Sequence, residues 1–416
     1  MDRIEQEVER QVAEIAGRAD RIIPEDELRA KLRVAVAQGR PLRVKYGIDP
    51  TTPDVHIGHL VPCRVIRAFQ DSGHTAVIII GDYTARIGDP SGRNAERPPL
   101  SEADVARNME HYAEQLFRVV DPDRAEVHRQ SAWFGSMGLD QTLRLAARFS
   151  VAQMMAHETF RARLDSGNRL SIHELLYPAL QAYDSVQIGA DVEIGGSDQL
   201  FNCLCGRDLQ RSHGVDAQVV VTVPLMRGTD GRKMSKSFGN HIPVDLPAPD
   251  VVGRTMSMPD NQIEELIALT TDWSAERRAD TIARLRAEDA SPRDLKLDIA
   301  RSVATQLHGA DAAAAAIDEF ERVVSRGERP SEVARYTVRA ATAGVDPGPG
   351  PSIVDLLIEC RLASSRSDAR RLVEQRGVRV DGTVVESIDE RVTLECDHPR
   401  LLQAGRRRFV EVVRSA

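Results

Sequence analysis

Nowhere among its 416 residues does the chain hold an apolar run long enough to span a bilayer, which argues against a membrane protein. Its opening, Met1-Asp2-Arg3-Ile4-Glu5, is charged where a secretory signal would be apolar, so export is not expected either. Cysteine is scarce and odd in number: five thiols suit a reducing compartment better than a disulfide framework. Cys203-Leu204-Cys205 invites a metal reading, but no second Cys or His pair at zinc spacing accompanies it. Packing is its expected role, and no tightly bound metal is expected. Excess positive charge is missing too, since the formal net charge of −8 argues against broad affinity for nucleic acid. What remains is a cytoplasmic globular protein, 42% apolar and 28% charged, long enough for two or three domains.

That charge is unevenly spread. Residues 351–416 carry 12 Lys/Arg against 11 Asp/Glu, whereas residues 1–350 carry an excess of 9 carboxylates. The cations of the tail are arginines, which suit bidentate contacts to phosphate, so a local RNA-binding surface is compatible with an acidic chain.

What the sequence does hold is a pair of short motifs far apart. In His56-Ile57-Gly58-His59, two imidazoles three residues apart at the opening of a helix can both donate hydrogen bonds to phosphate. Gly58 lets a nucleotide come close to the backbone, and a helix N-terminus adds partial positive charge. Lys233-Met234-Ser235-Lys236-Ser237 ends a glycine-interrupted polar loop that begins at Arg227, after the strand-like run Val219-Val220-Val221-Thr222-Val223. Such a loop can close over a triphosphate. Alone, each motif is commonplace: a chance helix start, a solvated lysine loop. Together they point to adenylation of a carboxylic acid by ATP. Negative charge then builds on the departing pyrophosphate, so catalysis is mainly positioning and charge stabilisation.

Amphipathic patterns from Ile4 to Gly17 and from Pro24 to Gln38 predict two helices, followed by a β-like run from Leu42 to Ile48. The turn Asp49-Pro50-Thr51, the histidine motif, a helix towards Ser72 and the apolar strand Thr75 to Gly81 complete a Rossmann-like βαβ unit. Asp82-Tyr83-Thr84 and the loop Ile87 to Arg93 then fall at the carboxyl end of a strand, where open α/β sheets bind ligands. A polar, helical insertion follows, then His173 to Tyr177 and a second glycine loop, Ile194 to Gln199. Residues from 250 to about 340 are helix-rich, and the Gly/Pro run from Ala343 to Pro351 cannot continue a helix. Two helical patterns, 353–360 and 367–375, and a hairpin on Asp381-Gly382 close the chain. The expected class is α/β: a Rossmann-like parallel-sheet catalytic domain over 1–240, an all-α domain over 241–342, a linker at 343–350 and a small α+β domain over 351–416.

In their order and surroundings the two motifs resemble those of class I aminoacyl-tRNA synthetases. Tyr177-Pro178-Ala179-Leu180-Gln181-Ala182-Tyr183-Asp184 sharpens the likeness to tyrosyl-tRNA synthetases, because Tyr177, Gln181 and Asp184 share one helix face. That resemblance implies that Thr51, His56, His59, Lys233 and Lys236 serve the chemistry. Gly47, Asp49, Gly58, Gly196 and Asp198 would surround the ATP with His56, His59 and Lys236. Lys45, Asp89, Tyr177, Gln181, Asp184 and Gln199 would surround tyrosine, with Tyr177, Gln181 and Asp89 on its ammonium and Asp184 on its hydroxyl. A buried acceptor left without that hydroxyl rejects phenylalanine by ~10⁴ to 10⁵, a magnitude that itself comes from tyrosine-specific enzymes of this kind. Many family members carry tyrosine in place of Lys45 and glutamine in place of Glu193; this sequence resembles a second bacterial branch with Lys-x-Gly-x-Asp-Pro-Thr.

Residues Leu362 to Leu372 resemble an S4 RNA-binding domain, which would offer Arg366, Arg370 and Arg371 to RNA, and the helical segment 241–342 would read the anticodon. The implied partners are L-tyrosine, ATP carried with Mg²⁺, and tRNA(Tyr), acting on a homodimer. Three other readings stay open. A tryptophanyl enzyme shares the fold, though the S4-like tail and the Tyr-Gln-Asp face disfavour it. An RNA-binding protein on an inactive scaffold is opposed by the intact His56, His59, Lys233 and Lys236. A specialised paralogue would charge a modified tyrosine or confer inhibitor resistance.

Overall fold

Six short runs rich in β-branched and aliphatic residues pair into the main sheet: β1 (Arg21–Ile23), β2 (Arg43–Ile48), β3 (Thr75–Ile80), β4 (Ala125–Arg129), β5 (Val192–Gly196) and β6 (Val219–Val223). The computed structural model describes residues 2–91, 100–326, 328–329, 333–338, 350–405 and 408–415. They divide into two units, Met1–Ala313 and Ala314–Ala416. Gly92 and Arg93 of the loop expected after β3, and all of the expected linker except Gly350, lie outside the described residues.

The order of the main sheet is β1-β6-β5-β2-β3-β4. All its pairs are parallel except the β1–β6 edge, which is antiparallel. β6 is buried along its whole length and β3 nearly so, as strands covered on both faces require. The Leu60–Asp71 helix returns the chain from β2 to β3 and buries ten of its residues. Helices Ile172–Ile188 and Leu200–Ser212 pack on each other and flank β5 in the sequence. From β2 the chain crosses to β3 on one side, while from β5 it crosses to β6 on the other. Sheet order therefore reverses between β2 and β5, and a crevice opens beyond their carboxyl ends.

Three strands differ from the expectation. β1 is too short to show a period, and β4, Ala-Glu-Val-His-Arg, is a half-exposed edge without an apolar run. The third difference is in the glycine loop: Gly195 and Gly196 end β5 opposite Thr222 and Val223, and only Ser197–Gln199 forms a turn. Gly195 is needed there, because a β-carbon would stand 2.9 Å from that of Gln199.

Helices Ala248–Met256, Ile263–Thr270, Ala275–Arg286 and Pro292–His308 complete the first unit. None of the helices among the described residues is long and apolar enough to cross a membrane.

In the second unit, helix ends at Phe320 and a π-helical turn, Glu321–Ser325, follows. Arg335–Val338, inside the stretch expected to be helix-rich, is instead strand β7. It pairs in parallel with β11 (Arg408–Arg414), next to β10 (Arg400–Ala404), β8 (Val378–Val380) and β9 (Thr383–Val384). Asp381 (φ 48°) and Gly382 (φ 83°) make the hairpin turn between β8 and β9, both with the positive φ that such a turn demands. Helices Ile353–Glu359 and Arg366–Glu374 are N-capped by Ser352 and Ser365, whose side chains accept from the amides of Asp355 and Asp368. Their apolar faces bury Ile353, Leu357, Ala369 and Val373 together with Val378 and Leu402 of the strands.

Candidate active site

Beyond the carboxyl ends of β2, β3, β5 and β6 lies a cavity of about 820 Å³. Gly47, Asp49, Thr51, His56, Gly58, His59, Asp89, Tyr177, Gln181, Asp184, Gly196, Asp198, Gln199, Lys233 and Lys236 all line it. Lys45 does not. Arg366, Arg370 and Arg371 belong to the second unit, where all three are exposed; Arg366 pairs with Asp355 at 2.6 Å and Arg371 with Asp368 at 2.7 Å.

At the histidine motif the chain makes a 3-10 turn, Ile57–His59, before the long helix begins. The two imidazoles stack with ring centroids 3.7 Å apart. The backbone N–H of His56 donates to Nδ1 of His59 at 3.2 Å, which puts the proton of that ring on Nε2. Gly58 sits where a β-carbon would come within 3.0 Å of the His56 ring, so glycine is required for the stack itself as well as for any close approach of a ligand. Burial drives the pKa of His56 down to about 2, helped by His59, His241 and the lysines. It drives His59 down to about 4, helped chiefly by Lys236. Both rings are neutral at pH 7, and the positive charge of the site is left to the lysines.

Lys236 Nζ donates to Thr52 Oγ1 at 2.8 Å and pairs with Asp54 at 3.0 Å, while Lys233 Nζ pairs with Asp198 at 3.1 Å. Such part-exposed pairs are worth about 1 kcal/mol or less, so a polyanionic ligand can displace them. The lysine loop is held in shape by Asn240, 2% exposed and not singled out in the sequence. Asn240 Oδ1 accepts from the Ser235 amide at 2.8 Å, and its Nδ2 donates to Asp230 Oδ1 at 2.6 Å and to the Lys233 carbonyl at 3.1 Å. Past the loop, the Ile57 amide donates to the Ile242 carbonyl (3.0 Å) and the Val244 amide to that of Val55 (3.0 Å), which ties the two motifs together. His241 arrives by the same route, with its ring centroid 5.9 Å from that of His56.

At the other end of the cavity, one face of the Ile172–Ile188 helix presents Tyr177, Gln181 and Asp184. The Tyr177 hydroxyl donates to Asp49 Oδ2 at 2.9 Å, and Thr84 Oγ1 donates to Asp49 Oδ1 at 2.7 Å. Gln199 Nε2 donates to Asp89 Oδ2 at 2.7 Å. Gln181 Nε2 donates to Glu193 Oε1 at 3.0 Å. Asp184 is 2% exposed and receives Gln130 Nε2 at 2.7 Å and Trp133 Nε1 at 3.0 Å. Burial lifts its pKa to about 7, against the opposing pull of Lys45, Gln130 and Trp133. Gln130 and Trp133 were not foreseen, since they follow β4 in an insertion whose residues read only as polar and helical.

Lys45 was expected beside the substrate. Its side chain is instead 0% exposed, with Nζ bonded to the Gln181 carbonyl (2.8 Å), Ser185 Oγ (2.7 Å) and Glu193 (2.8 Å). All three ammonium donors are used, so none is left for a ligand. The cavity therefore joins a cationic end fit for polyphosphate to an acceptor-rich end with a deep carboxyl group.

The neutral imidazoles carry a consequence for stability. An unfolded histidine takes up its proton near pH 6.5, whereas His56, His59 and the buried His74 resist down to about 2, 4 and 4. Between pH 6.5 and 4 the unfolded chain thus binds up to three more protons at these sites, and stability falls as the pH falls. Asp184 opposes by one proton, because it is already protonated below about pH 7 in the folded state. With about 1 kcal/mol per proton and pH unit, the net loss expected is on the order of a few kcal/mol per pH unit, and His157, His241 and His308, also lowered by burial, add to it in the same direction. Denaturant unfolding at pH 6.5, 5.5 and 4.5 measures it, and a flat profile would contradict burial of neutral rings.

Comparison with known proteins agrees with this geometry. Residues 37–325 match the family model of class I tRNA synthetases (W and Y), and residues 353–397 match that of the S4 domain. A protein of Moorella thermoacetica named tyrosine–tRNA ligase is 40% identical over 411 residues, 99% of this chain and 97% of that one. One of the same name from Thermotoga maritima is 42% identical over 392 residues, 94% of each chain. Among solved structures, a C-terminally truncated mitochondrial tyrosyl-tRNA synthetase of Aspergillus nidulans superposes with a TM-score of 0.64 at 21% identity, over 76% of this chain and 96% of that one. The tyrosyl-tRNA synthetase of Archaeoglobus fulgidus complexed with L-tyrosine gives 0.59 at 19% identity, over 74% and 99%. At such identities the two structures speak for the fold alone.

Proposed function

The chain belongs to the class I tRNA synthetases (W and Y), and from that premise we propose that it is a tyrosine–tRNA ligase. The observation that carries the choice of amino acid is Asp184, a buried carboxyl group that lines the same cavity as His56, His59 and the lysines. With Gln130 and Trp133 already donating to it, its remaining lone pairs accept one more proton donor, the phenol hydroxyl of tyrosine. The substrate ammonium is taken by oxygens of Tyr177, Gln181 and Asp89, and Gln199 stays beside it through its bond to Asp89.

The substrates of the first step are L-tyrosine and ATP carried with Mg²⁺. A carboxylate oxygen of tyrosine bonds to the α-phosphorus, and the bond from that phosphorus to the bridging oxygen breaks, leaving with pyrophosphate. His56 and His59 donate to the phosphates as neutral rings, with Thr51 beside them. Lys233 and Lys236 exchange Asp198 and Asp54 for the phosphate oxygens as charge develops on the leaving group. Gly47, Asp49, Gly58, Gly196 and Asp198 lie around the nucleotide. In the second step a hydroxyl of the terminal tRNA ribose attacks the tyrosyl carbonyl and AMP leaves. Residues 1–240 carry this chemistry, 241–342 read the anticodon, and 351–416 add RNA contacts through Arg366, Arg370 and Arg371, in a cytoplasmic enzyme.

A homodimer is part of the proposal. It is supported by exposed apolar side chains: among the described residues, Val127, Leu139, Leu143, Val151, Leu164 and Ile172 are all large, apolar and at least 44% exposed. These are six of the nine large apolar side chains exposed to that degree among the described residues, and they fall within residues 127–172, where the interface is proposed. Leu143→Glu combined with Val151→Glu is expected to shift sedimentation from dimer to monomer; an unchanged sedimentation coefficient would place the interface elsewhere.

Pyrophosphate exchange with each amino acid tests the activity directly. Exchange is expected with tyrosine alone, and exchange driven by tryptophan, or by none, overturns the reading. Asp184 gives a second test with a definite sign. It accepts the hydroxyl proton most strongly when ionised, so with a pKa of about 7 the KM for tyrosine is expected to be higher at pH 6 than at pH 8. Asp184→Asn should abolish that dependence and most of the preference over phenylalanine.

A further inference from the structure

We propose that Lys45 and Glu193 are positioning residues, a buried ion pair that fixes which end of the Gln181 amide faces the cavity and thereby makes the site select an α-ammonium group. The inference rests on the tyrosine reading above and assigns neither residue a contact with substrate.

Parallel pairing of β2 with β5 sets Lys45 opposite Glu193, and their side chains are 0% and 1% exposed. Glu193 Oε1 accepts from Lys45 Nζ at 2.8 Å and from Gln181 Nε2 at 3.0 Å. Its Oε2 accepts from Gln218 Nε2, and Ser185 Oγ lies 3.5 Å away. A carboxylate can only accept. Gln181 must therefore turn its NH₂ inward to Glu193, which leaves Oε1 as the end available to the cavity, with no hydrogen-bond partner among the described residues. An oxygen in that place attracts an ammonium group, and an NH₂ would repel one.

Lys45 is what allows the carboxylate to stay there. Without the ammonium, Glu193 would be a buried charge with no counter-charge, and the bonds that orient the Gln181 amide would rearrange to relieve it. Lys45 also grips the Gln181 backbone carbonyl at 2.8 Å, so the same side chain holds both the position and the polarity of that residue.

Two inhibitors of tyrosine-dependent pyrophosphate exchange separate polarity from general damage. Tyrosinol keeps the ammonium and the phenol, whereas 3-(4-hydroxyphenyl)propanoate keeps the phenol and lacks the ammonium. In Lys45→Met, the ratio of Ki for tyrosinol to Ki for the propanoate is expected to rise by about tenfold or more, the cost of a charge-assisted hydrogen bond, because the lost pull of Lys45 on Asp184 weakens the phenol contact of both inhibitors alike. Lys45→Met/Glu193→Leu leaves no buried charge, so it guards against a single variant that fails to fold; it carries the same expectation because the amide loses its fixed acceptor. An equal loss for both inhibitors, or no loss for tyrosinol, overturns the inference. A parent enzyme that fails to exchange with tyrosine overturns the functional reading instead.

Discussion

Because β2 is hydrogen-bonded to β3 along one edge and to β5 along the other, three stretches of chain far apart in sequence must end at the same crevice. The turn after β2 leads into the histidine motif, the turn after β5 carries Asp198 and Gln199, and β6, next in order, leads into the lysine loop. Every functional group in the cavity is placed relative to those strand ends. A slip of one residue in the pairing of β2 with β5 would take Lys45 away from Glu193 and set that carboxylate beside Val44 or Tyr46 instead.

Within that frame the charges are sorted. Desolvation keeps His56 and His59 neutral, so they supply directed N–H donors without adding to the cationic charge of Lys233 and Lys236. Each lysine rests on a carboxylate, Asp198 or Asp54, which screens one ammonium from the other and costs little to give up. The carboxyl groups of Asp49, Asp89 and Asp184, which line the same cavity, each hold at least one polar hydrogen from a neighbouring side chain or amide, which fixes their orientation. Preorganisation of this kind lowers the cost of reaching the charge-separated transition state.

The parts legible in the sequence were those with strong periodicity or unusual composition. β3 and β6 read as apolar runs and β2 as a short β-like run, the Tyr177, Gln181 and Asp184 face followed from helical spacing, and the Asp381-Gly382 hairpin followed from its turn chemistry. What escaped was tertiary. Gln130 and Trp133 reach Asp184 from 54 and 51 residues away, and nothing in their local pattern marks them. Asn240 shapes the lysine loop through bonds that a list of charged residues does not reveal. β4, as a polar edge strand, lacks the signal that burial on both faces imprints on its neighbours.

Lys45 is the instructive case, because resemblance placed it at the substrate and packing placed it behind. In a strand, residues two apart share a face, so Lys45 and Gly47 point the same way and differ in depth. Gly47, at the carboxyl end of β2, lines the cavity, while Lys45, two residues earlier, is covered by Gln181 and Ser185 and faces Glu193 of the neighbouring strand. A fully buried ion pair is a poor source of stability, since desolvating both charges offsets most of their attraction, and an apolar pair of similar volume would commonly serve as well. What an apolar pair could not do is impose direction on the amide beside it. Glu193 holds an NH₂ and refuses an oxygen, so the polarity of Gln181 at the cavity surface is decided by two side chains that no ligand touches.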